Sequence, residues 1–490
     1  MKFFLLLATL CTLSLASVWA QNPHYNDFLS SDFHKERRAV LRSKMPANSV
    51  AVFFSNAVRN RSNDVDYIYH QDPDFYYLTG HNEPHAVLII TKEAIDYGQG
   101  KVNEIIFIRS RNALAELYDG GRTSTQEAME ELGLQMALEG AEFAQKAPDF
   151  TQFDKVMFFE FEDDVRNLNE EGDLYDLIQT FKEKVGYKTN DLSIEPKNTR
   201  IDHATLPKIM DEMRGIKTKE EVSLLRKAVD ISALAQAEVM KAIRPGMSET
   251  EVQGMHEYIY KKYRAEYEGY PSIVGAGHNG CVLHYIENYK PEIKSDELIL
   301  MDLGAEYHGY TADVTRTIPV SGTFSKEQKQ IYDLVYKAQE AAMAICKPGT
   351  TFSELYEATS KVINEGLVEL GIYKSLDKKD IINPETGRNR YYPHGCCHHI
   401  GLDVHDRGEY KKLEENMIIT IEPGIYITEG SPTEERWWNI PVRIEDDFLI
   451  TKDGCELLSD KAPRTSEAIE ALMAQPSAFD AISLPELEEK

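Results

Sequence analysis

The amino-acid sequence predicts a mixed α/β (α+β) protein of two domains, the second of which is a pseudo-twofold pair of half-domains. Three observations support this prediction. The chain of 490 residues is too long for one ordinary hydrophobic core. Short apolar runs alternate with helical patterns through the first 200 residues. A set of short motifs then occurs twice, in the same order, in the second half of the chain.

The first twenty residues have the pattern of a secretory signal peptide rather than of a folded element. Lys2 precedes an apolar run from Phe3 to Leu15, and small residues at Val18 and Ala20 precede a cleavage point before Gln21. The apolar run is too short to span a bilayer well. We therefore expect residues 1–20 to be removed, with export to the periplasm or the medium and no stable membrane insertion.

The composition restricts the partners and the redox chemistry. The formal net charge of −27 disfavours nucleic acid and anionic membranes as partners. Five of the six cysteines follow the predicted signal peptide. An odd number in so long a chain indicates free thiols rather than disulfides. Cys396 and Cys397 lie among histidines, but no CxxC pair accompanies them, so a zinc–thiolate site is the weaker interpretation.

Residues 21–200 are predicted to form an N-terminal α/β domain with its own sheet. Apolar runs predict three buried strands, Val50–Phe54, Ala86–Ile90 and Glu104–Ile108. Helical patterns lie near Arg111–Leu117 and Thr125–Gln145. We find no catalytic motif in this part of the sequence, and the Glu195–Asn198 stretch indicates its end.

Residues 215–460 are predicted to form the second domain, which opens with a long helix from Thr218 to Ile243. Each copy of its internal repeat begins with a helix-ending Pro-Gly pair, at Pro245 and Pro348. A capping box that would start the next helix follows in both copies, Ser248 with Glu251 and Thr351 with Glu354. The acidic segment 461–490 is expected to be a peripheral tail.

Each copy of the repeat also presents a carboxylate at the end of an apolar strand. The strands are Leu298–Asp302 in the first copy and Ile418–Glu422 in the second. A histidine precedes each acid at nearly the same distance, His284 in the first copy and His405 in the second. Two similar halves that each present an acid predict a site between them.

Four acids lie on or beside apolar strands of this domain, Asp302, Asp313, Glu422 and Glu445. Any one of them could face water at a hairpin end. Buried charge is costly unless something neutralises it, so the four together favour a cation site. Carboxylates with a histidine suit manganese, cobalt, iron or zinc, and bridging carboxylates hold two such ions about 3.5–4 Å apart with a nucleophilic hydroxide between them.

The densest group of histidines lies in the segment His394–Asp406, which contains four of them. A single histidine is more often structural, but four within twelve residues of a glycine-punctuated stretch favour a site. Arg443 alternates with Glu445 along its strand and therefore shares its face.

These segments resemble the creatinase and methionine-aminopeptidase superfamily, which has the pita-bread fold, and within it the aminopeptidase P (Xaa-Pro aminopeptidase) family. The similarity covers about Met213 to Leu458, where all five ligand positions of the family carry the expected residue types in order. The segment Phe75–Gly80 and its surroundings resemble that family's N-terminal domain. The resemblance implies a creatinase/aminopeptidase P-type α/β domain followed by a pita-bread metallopeptidase domain.

The resemblance also implies two divalent metal ions, with manganese favoured over zinc, cobalt and iron. Asp302 would bind one ion, and Asp313 and Glu445 would bridge both. His398 and Glu422 would complete the coordination of the second ion.

Further roles follow from the same resemblance. Glu422 would also carry a proton from the attacking water to the leaving nitrogen. His284 and His405 would contact the substrate carbonyl and stabilise its oxyanion. His394 would line the proline pocket, and Arg443 would lie near the substrate exit side.

The implied substrates are peptides with proline at position two. An Xaa-Pro bond is a tertiary amide that has no N–H, and it therefore needs a dedicated enzyme. A wall that admits one residue upstream of proline would come from the N-terminal domain, in the same subunit or a neighbouring one. We accordingly expect a homo-oligomer, a dimer or a tetramer.

Two alternatives remain at this point. A prolidase would use the same ligands but cleave only Xaa-Pro dipeptides, so a tripeptide and a dipeptide substrate separate the two activities. A catalytically silent peptide-binding protein of the same fold would usually have lost metal ligands, whereas this sequence keeps all five.

Overall fold

The computed structural model describes residues 27–98, 100–187 and 199–485. The predicted signal peptide and the Glu195–Asn198 stretch lie outside these ranges, so both stay predictions.

The N-terminal part of the chain is built around one sheet. Its helices are α1 (Ser31–Lys44), α2 (Pro73–Thr79), α3 (Ala113–Asp119), α4 (Thr125–Glu130), α5 (Phe143–Lys146) and α6 (Leu174–Val185). Its strands are β1 (Ser49–Phe54), β2 (Asn60–Ser62), β3 (Val65–Asp66), β4 (Val87–Asp96), β5 (Lys101–Ile108), β6 (Met136–Glu139), β7 (Lys155–Met157) and β8 (Ile201–Asp202). Six of these strands form a mixed sheet in the order β6-β5-β4-β1-β7-β8.

The central strand β1 explains why the sequence shows continuous apolar runs here. Val50 and Val52 pack into one core, whereas Ala51 and Phe53 pack into another on the opposite face. A strand that is buried on both faces needs apolar side chains at successive positions rather than at alternate ones. The three strands predicted from such runs are confirmed as β1, β4 and β5.

The prediction of a helix over Thr125–Gln145 is wrong for the middle of that range. Helix α4 ends at Glu130, and Gly133 follows with a left-handed φ of 64°. Glycine adopts this conformation without the steric cost that other residues meet, and it turns the chain away from the helix axis. Residues Met136–Glu139 then add β6 in parallel to β5, so a sheet edge replaces the predicted helical turns.

The second part of the chain contains two similar sets of elements. Its helices are α7 (Thr205–Gly215), α8 (Lys219–Ala242), α9 (Glu249–Lys262), α10 (Lys326–Met343), α11 (Phe352–Glu369), α12 (Lys378–Ile381) and α13 (Ser466–Met473). Its strands are β9 (Tyr267–Glu268), β10 (Ile273–Ala276), β11 (Leu298–Leu303), β12 (Ala305–Tyr307), β13 (Tyr310–Thr311), β14 (Val314–Pro319), β15 (Ile418–Ile421), β16 (Gly424–Ile427), β17 (Ile440–Arg443), β18 (Asp446–Ile450) and β19 (Cys455–Leu457).

The internal repeat of the sequence is visible in these elements. Helices α8 and α9 pack together in the first set, and α10 and α11 pack together in the second. Strand β11 pairs with β10 and β14, while β15 pairs with β18, which also pairs with β19. The long helix predicted from Thr218 to Ile243 is confirmed as α8, with Thr218 as its N-cap.

The predicted helix starts after the two Pro-Gly pairs are also confirmed. The hydroxyls of Ser248 and Thr351 accept backbone N–H groups of Glu251 and Glu354, at 3.0 and 3.1 Å. In the second copy the Glu354 carboxylate also accepts from the Thr351 N–H at 2.7 Å, which completes the box. Both helices therefore begin where the capping pattern placed them.

The segment 461–490 is expected to be peripheral, and the structure corrects this for residues up to 473, where α13 ends. Helix α13 packs on α8, and its Ile469 is fully buried. The buried guanidinium of Arg316 donates to the carbonyls of Ala462 and Pro463, at 3.0 and 2.9 Å. Within the described ranges no helix has both the length and the apolar character that a membrane crossing requires.

Candidate active site

Two glutamines on equivalent helices fix the strand ends that present the acids. The Gln236 amide on α8 donates to the carbonyls of Met301 and Val314, at 2.9 and 2.7 Å. The Gln339 amide on α10 donates to the carbonyls of Ile421 and Ile444, at 3.0 and 3.3 Å. Each of these four carbonyls belongs to a residue adjacent in sequence to one of the predicted ligand acids.

These glutamines were missed by the sequence analysis, although a signal was present. Gln236 and Gln339 lie at the same distance before Pro245 and Pro348, the markers of the repeat. Two identical polar residues at matched positions on apolar helix faces indicate a shared structural role.

Three of the predicted ligands converge closely. Atoms of Asp313, His398 and Glu445 lie within 4.8 Å of one another, and all three residues are buried. The His398 Nε2 atom is 3.5 Å from Asp313 Oδ2 and 3.8 Å from Glu445 Oε1. The other ring nitrogen, Nδ1, lies 2.9 Å from the His399 carbonyl. A proton on Nδ1 would satisfy that carbonyl and leave Nε2 free to bind a cation.

The remaining two predicted ligands flank this group. Glu422 places Oε1 at 3.9 Å from His398 Nε2 and is partly open to solvent. Asp302 is held by two partners, because its carboxylate pairs with the Arg443 guanidinium and accepts from the Tyr270 hydroxyl at 2.7 Å. The structure therefore brings all five predicted ligands to one site.

The acids of this site destabilise one another in their charged forms. Burial raises the pKa of Glu445 well above its usual range, and the charges of Asp313 and Asp302 raise it further. Burial likewise raises the pKa of Asp313, and the charges of Asp302 and Asp447 raise it further. Burial and the charge of Glu445 do the same for Glu422.

This donor set fits divalent cations. The Tyr270 hydroxyl lies 2.7 Å from a carboxylate oxygen of both Asp302 and Asp313, so two acids compete for one proton. Four acids with one histidine and a single nearby arginine leave negative charge that oxygen- and nitrogen-binding dications would neutralise. The residues present therefore match the requirements of a metal centre.

Three further histidines lie around the acids. Burial and the charge of Arg443 lower the pKa of His394 to about 3. His394 Nε2 lies 2.9 Å from the Tyr426 hydroxyl, and Nδ1 lies 3.5 Å from Glu422 Oε2. The His405 ring is 4.6 Å from the His398 ring, and its pKa is lowered by partial desolvation and by the neighbouring His398.

The exposed His284 lies close enough to His394 and His405 to lower the pKa of both. His399 does not belong to the site. It is fully buried, lies 3.3 Å from the Glu409 carbonyl through Nε2, and packs on Phe352 and Tyr410. These contacts give it a structural role.

Arg443 lies deeper than the expected position near the substrate exit. It is 4% exposed, and it donates to the Tyr426 hydroxyl at 2.9 Å and to Thr315 Oγ1 at 3.2 Å in addition to its pairing with Asp302. Tyr270 and Tyr426 were missed by the sequence analysis. Their spacing from the ligands carries no signal, since they reach the site from separate elements.

An ion-pair network ties the histidine-rich segment to the N-terminal part of the chain. The buried Arg214 guanidinium donates to Asp74 and Asp403, at 2.7 Å each, and also pairs with Asp406. Lys217 donates to the other oxygen of Asp406 at 2.7 Å. Asp406 directly follows His405, so this network holds the loop that carries it.

Four carboxylates and a histidine that converge, with Glu422 partly exposed, define a candidate metal-dependent hydrolase. Comparison with known proteins is consistent with this class. The family model for metallopeptidase family M24 matches residues 223–452, and the model for the aminopeptidase P N-terminal domain matches residues 34–158.

Individual relatives agree with these matches. The Xaa-Pro aminopeptidase of Escherichia coli is 35% identical over 447 residues, which are 90% of this chain and 97% of that protein. Two solved structures of E. coli aminopeptidase P, one with the inhibitor Pro-Leu and one zinc-substituted with product, each match with a TM-score of 0.79 and 34% identity. Each match covers 91% of this chain and 98% of that one.

The chain belongs to metallopeptidase family M24 and is a peptidase with an aminopeptidase P-type N-terminal domain. This confirms the predicted fold class and the family expected from the sequence motifs. Divalent metal ions are a property of this family. The exact domain bounds stay predictions.

Proposed function

We propose that this protein is a binuclear aminopeptidase that removes the N-terminal residue from peptides whose second residue is proline. The observation that carries the proposal is the convergence of Asp313, His398 and Glu445, flanked by Asp302 and Glu422, on a chain that aligns with an Xaa-Pro aminopeptidase over nearly its full length. A catalytically silent relative would have no reason to keep mutually repelling acids buried together.

In this proposal Asp302, Asp313, His398, Glu422 and Glu445 would hold two divalent ions. When bound, the ions lower the pKa of water and polarise the scissile carbonyl. Arg443 and Tyr270 orient the Asp302 carboxylate. Thr315 donates to Glu445 at 2.7 Å and orients that carboxylate in turn.

Glu422 is the proton carrier of the proposed reaction. Of the four acids, it is the one that the structure leaves partly exposed to solvent. Its raised pKa allows it to accept a proton at neutral pH and to release it to the leaving proline nitrogen. An amide nitrogen leaves as an amine only when it is protonated, and the transferred proton becomes the N–H that the Xaa-Pro bond lacks.

The histidines act as neutral donors and as walls of the substrate pocket. The lowered pKa values of His394 and His405 keep both rings uncharged at neutral pH. His405 and His284 are placed to donate to the oxyanion that develops on the substrate carbonyl. His394 and Tyr426 form a ring-lined surface that suits proline, since their centroids are 5.4 Å apart.

The metal, the location and the oligomeric state of the protein are part of the same proposal. Manganese is the proposed metal, although zinc, cobalt and iron suit the same donors. The signal-like residues 1–20 support export to the periplasm or the medium. Homo-oligomerisation would let a neighbouring N-terminal domain close the pocket upstream of proline.

A peptide panel tests the proposal. An Xaa-Pro-Xaa tripeptide, the matched Xaa-Pro dipeptide and an Xaa-Ala-Xaa tripeptide would be assayed after chelation and after addition of manganese, zinc or cobalt. We expect hydrolysis of the first peptide only, at the bond before proline, and only with metal. Cleavage restricted to the dipeptide would show a prolidase, and metal binding without any cleavage would show a silent relative.

A further inference from the structure

Glu249 is a buried acid that the proposed reaction does not use. It is the first residue of α9, and its side chain is fully buried. The start of this helix is already capped by Ser248, so the helix does not need the Glu249 carboxylate. Because a buried carboxylate is costly unless it is hydrogen-bonded, its partners indicate what it does.

The Glu249 carboxylate accepts hydrogen bonds from several points of the loop that joins β10 to β11. Its Oε1 atom accepts from the Ala276 N–H at 2.8 Å and from the Asn279 amide at 3.1 Å. Its Oε2 atom accepts from the Tyr285 hydroxyl at 2.8 Å and from the Lys290 N–H at 2.9 Å. One side chain therefore ties together the two ends and the middle of this loop.

The loop has little regular structure of its own. After a 3₁₀ turn at Asn279–Cys281, residues 282–297 form no helix or strand. Asn288 is a second buried anchor, since its amide donates to the Ser272 carbonyl at 2.8 Å and accepts from the Val274 N–H at 2.9 Å. Buried polar side chains, rather than strand pairing, therefore set the path of this loop.

The same loop packs against the active site. Cys281 and Tyr285 belong to one buried cluster with Tyr426, and Leu283 packs against that cluster. The Tyr426 hydroxyl lies 2.9 Å from His394 Nε2. The loop that Glu249 holds therefore reaches the site through direct side-chain packing.

His284 lies at the centre of this loop, between Leu283 and Tyr285. Tyr285 is buried and donates to Glu249, whereas His284 is exposed. The Glu249 carboxylate thus fixes the residue next to His284 as well as the chain on both sides of it.

The second half-domain shows that the repeat itself does not require an acid at this position. Ser248 and Thr351 are the matched N-caps, so Glu249 corresponds to Phe352. Phe352 packs on two neighbouring aromatic rings, at centroid distances of 5.1 and 4.9 Å. The buried carboxylate therefore meets a need that is specific to the first half-domain.

We propose that Glu249 is a positioning residue that holds His284 in place for the reaction. This inference rests on the proposed function, in which His284 donates to the developing oxyanion. Such a donor is effective only when its place is fixed before the reaction begins. An irregular loop does not supply this order by itself, and the hydrogen bonds to Glu249 do.

Amide hydrogen exchange on the complete chain tests whether Glu249 holds the loop. In Glu249→Gln one carboxylate oxygen becomes an NH₂ group, so the N–H of Ala276 or of Lys290 loses its acceptor. We expect exchange at one of these two amides to become about 10-fold faster. Glu251→Gln is the matched control, because Glu251 lies in the same helical turn and is exposed. Unchanged exchange in Glu249→Gln would overturn the proposal.

A double-mutant cycle tests whether Glu249 acts through His284. With an Xaa-Pro-Xaa tripeptide, kcat should fall by about 10–100-fold in Glu249→Gln at unchanged metal content. It should fall by about 10²–10³-fold in His284→Ala. The combined variant should match His284→Ala, because the group that Glu249 positions is already absent. A combined loss equal to the product of the two single losses would overturn the proposal.

Tyr285→Phe serves as a second variant if Glu249→Gln does not fold. It removes only the hydroxyl that donates to Glu249, and it should lower kcat in the wild type but not in the His284→Ala background. Equal losses of kcat in both backgrounds would overturn the proposal. A wild type that cleaves no Xaa-Pro peptide would instead contradict the proposed function, and the exchange measurement would still decide whether Glu249 holds the loop.

Discussion

Glu422 is partly exposed to solvent, whereas the other four proposed ligands are buried. Its replacement should therefore affect the reaction more than the fold. Glu422→Ala removes the proton carrier while the other four ligand residues keep their partners. We expect kcat to fall by about 10²–10⁴ while the fold stays intact.

Steady-state kinetics at saturating metal, with metal content measured in parallel, checks this prediction. Glu429→Ala is the matched control, because Glu429 is exposed on the loop after β16. A Glu422→Ala enzyme with near-normal kcat would contradict the proton-carrier role.

The buried acids make a second residue-scale prediction, which concerns pH. The raised pKa values of Asp313, Glu422 and Glu445 mean that the metal-free folded state binds more protons than the unfolded state. The stability they contribute is therefore fully present below the ordinary carboxyl pKa of about 4 and is lost as pH rises through the raised values.

Urea unfolding of the chelated protein between pH 4.5 and 8 measures this loss. Glu445→Gln should flatten the fall in unfolding free energy, since an amide cannot ionise. Added manganese should flatten it in the wild type, because the ions displace the protons. Parallel curves for wild type and Glu445→Gln would contradict the prediction.

At the scale of elements, each helix of the repeat holds two strand ends through one amide. Gln339→Leu would leave the buried carbonyls of Ile421 and Ile444 without this donor. The expected cost is about 1–3 kcal/mol of unfolding free energy. Because these carbonyls flank Glu422 and Glu445, metal affinity should also fall by about 10–100-fold.

Denaturant unfolding and metal titration test the two effects separately. Gln330→Leu is the matched control, as Gln330 lies on the same helix and is not buried. A Gln339→Leu variant that loses stability but keeps full metal affinity would limit the role of Gln339 to packing.

Some of the secondary-structure elements could be predicted from the sequence, and others could not. Strands such as β1 and β15 are buried on both faces and read as unbroken apolar runs, and capped helices such as α8 and α11 carry local start signals. The four ligand acids were recognisable because they lie on or beside apolar strands, and the ligand histidine because it lies in a dense group of histidines. β6 was missed, because an edge strand of four residues has no pattern that outweighs its helical neighbours.

The contacts of Tyr270, Tyr426 and Arg443 were not predictable for a different reason. Arg443 pairs with Asp302 across 141 residues of sequence, and Tyr270 meets Asp313 across 43. Such pairings depend on tertiary packing, and the spacing of residues along one sequence does not reveal it.

At the scale of the whole molecule, the Arg214 network joins the two parts of the chain at the loop that carries His405. Arg214→Gln would remove the cation that Asp74 and Asp406 share while both carboxylates stay buried. Lys217 still pairs with Asp406 and Arg407 with Asp74, so we expect a loss of about 3 kcal/mol of unfolding free energy, the low end of the cost of breaking a buried ion pair. We expect kcat to fall as well, since His405 lies between Asp403 and Asp406, which both pair with Arg214.

Arg226→Gln is the matched control for this last prediction. Arg226 pairs with Glu456 at 2.5 Å, but both side chains lie at the surface, where they are 40% and 46% exposed. A pair of this kind contributes about 0–1 kcal/mol. Equal losses of unfolding free energy in the two variants, or an Arg214→Gln enzyme with unaltered kcat, would mean that the network does not couple the N-terminal part of the chain to the active site.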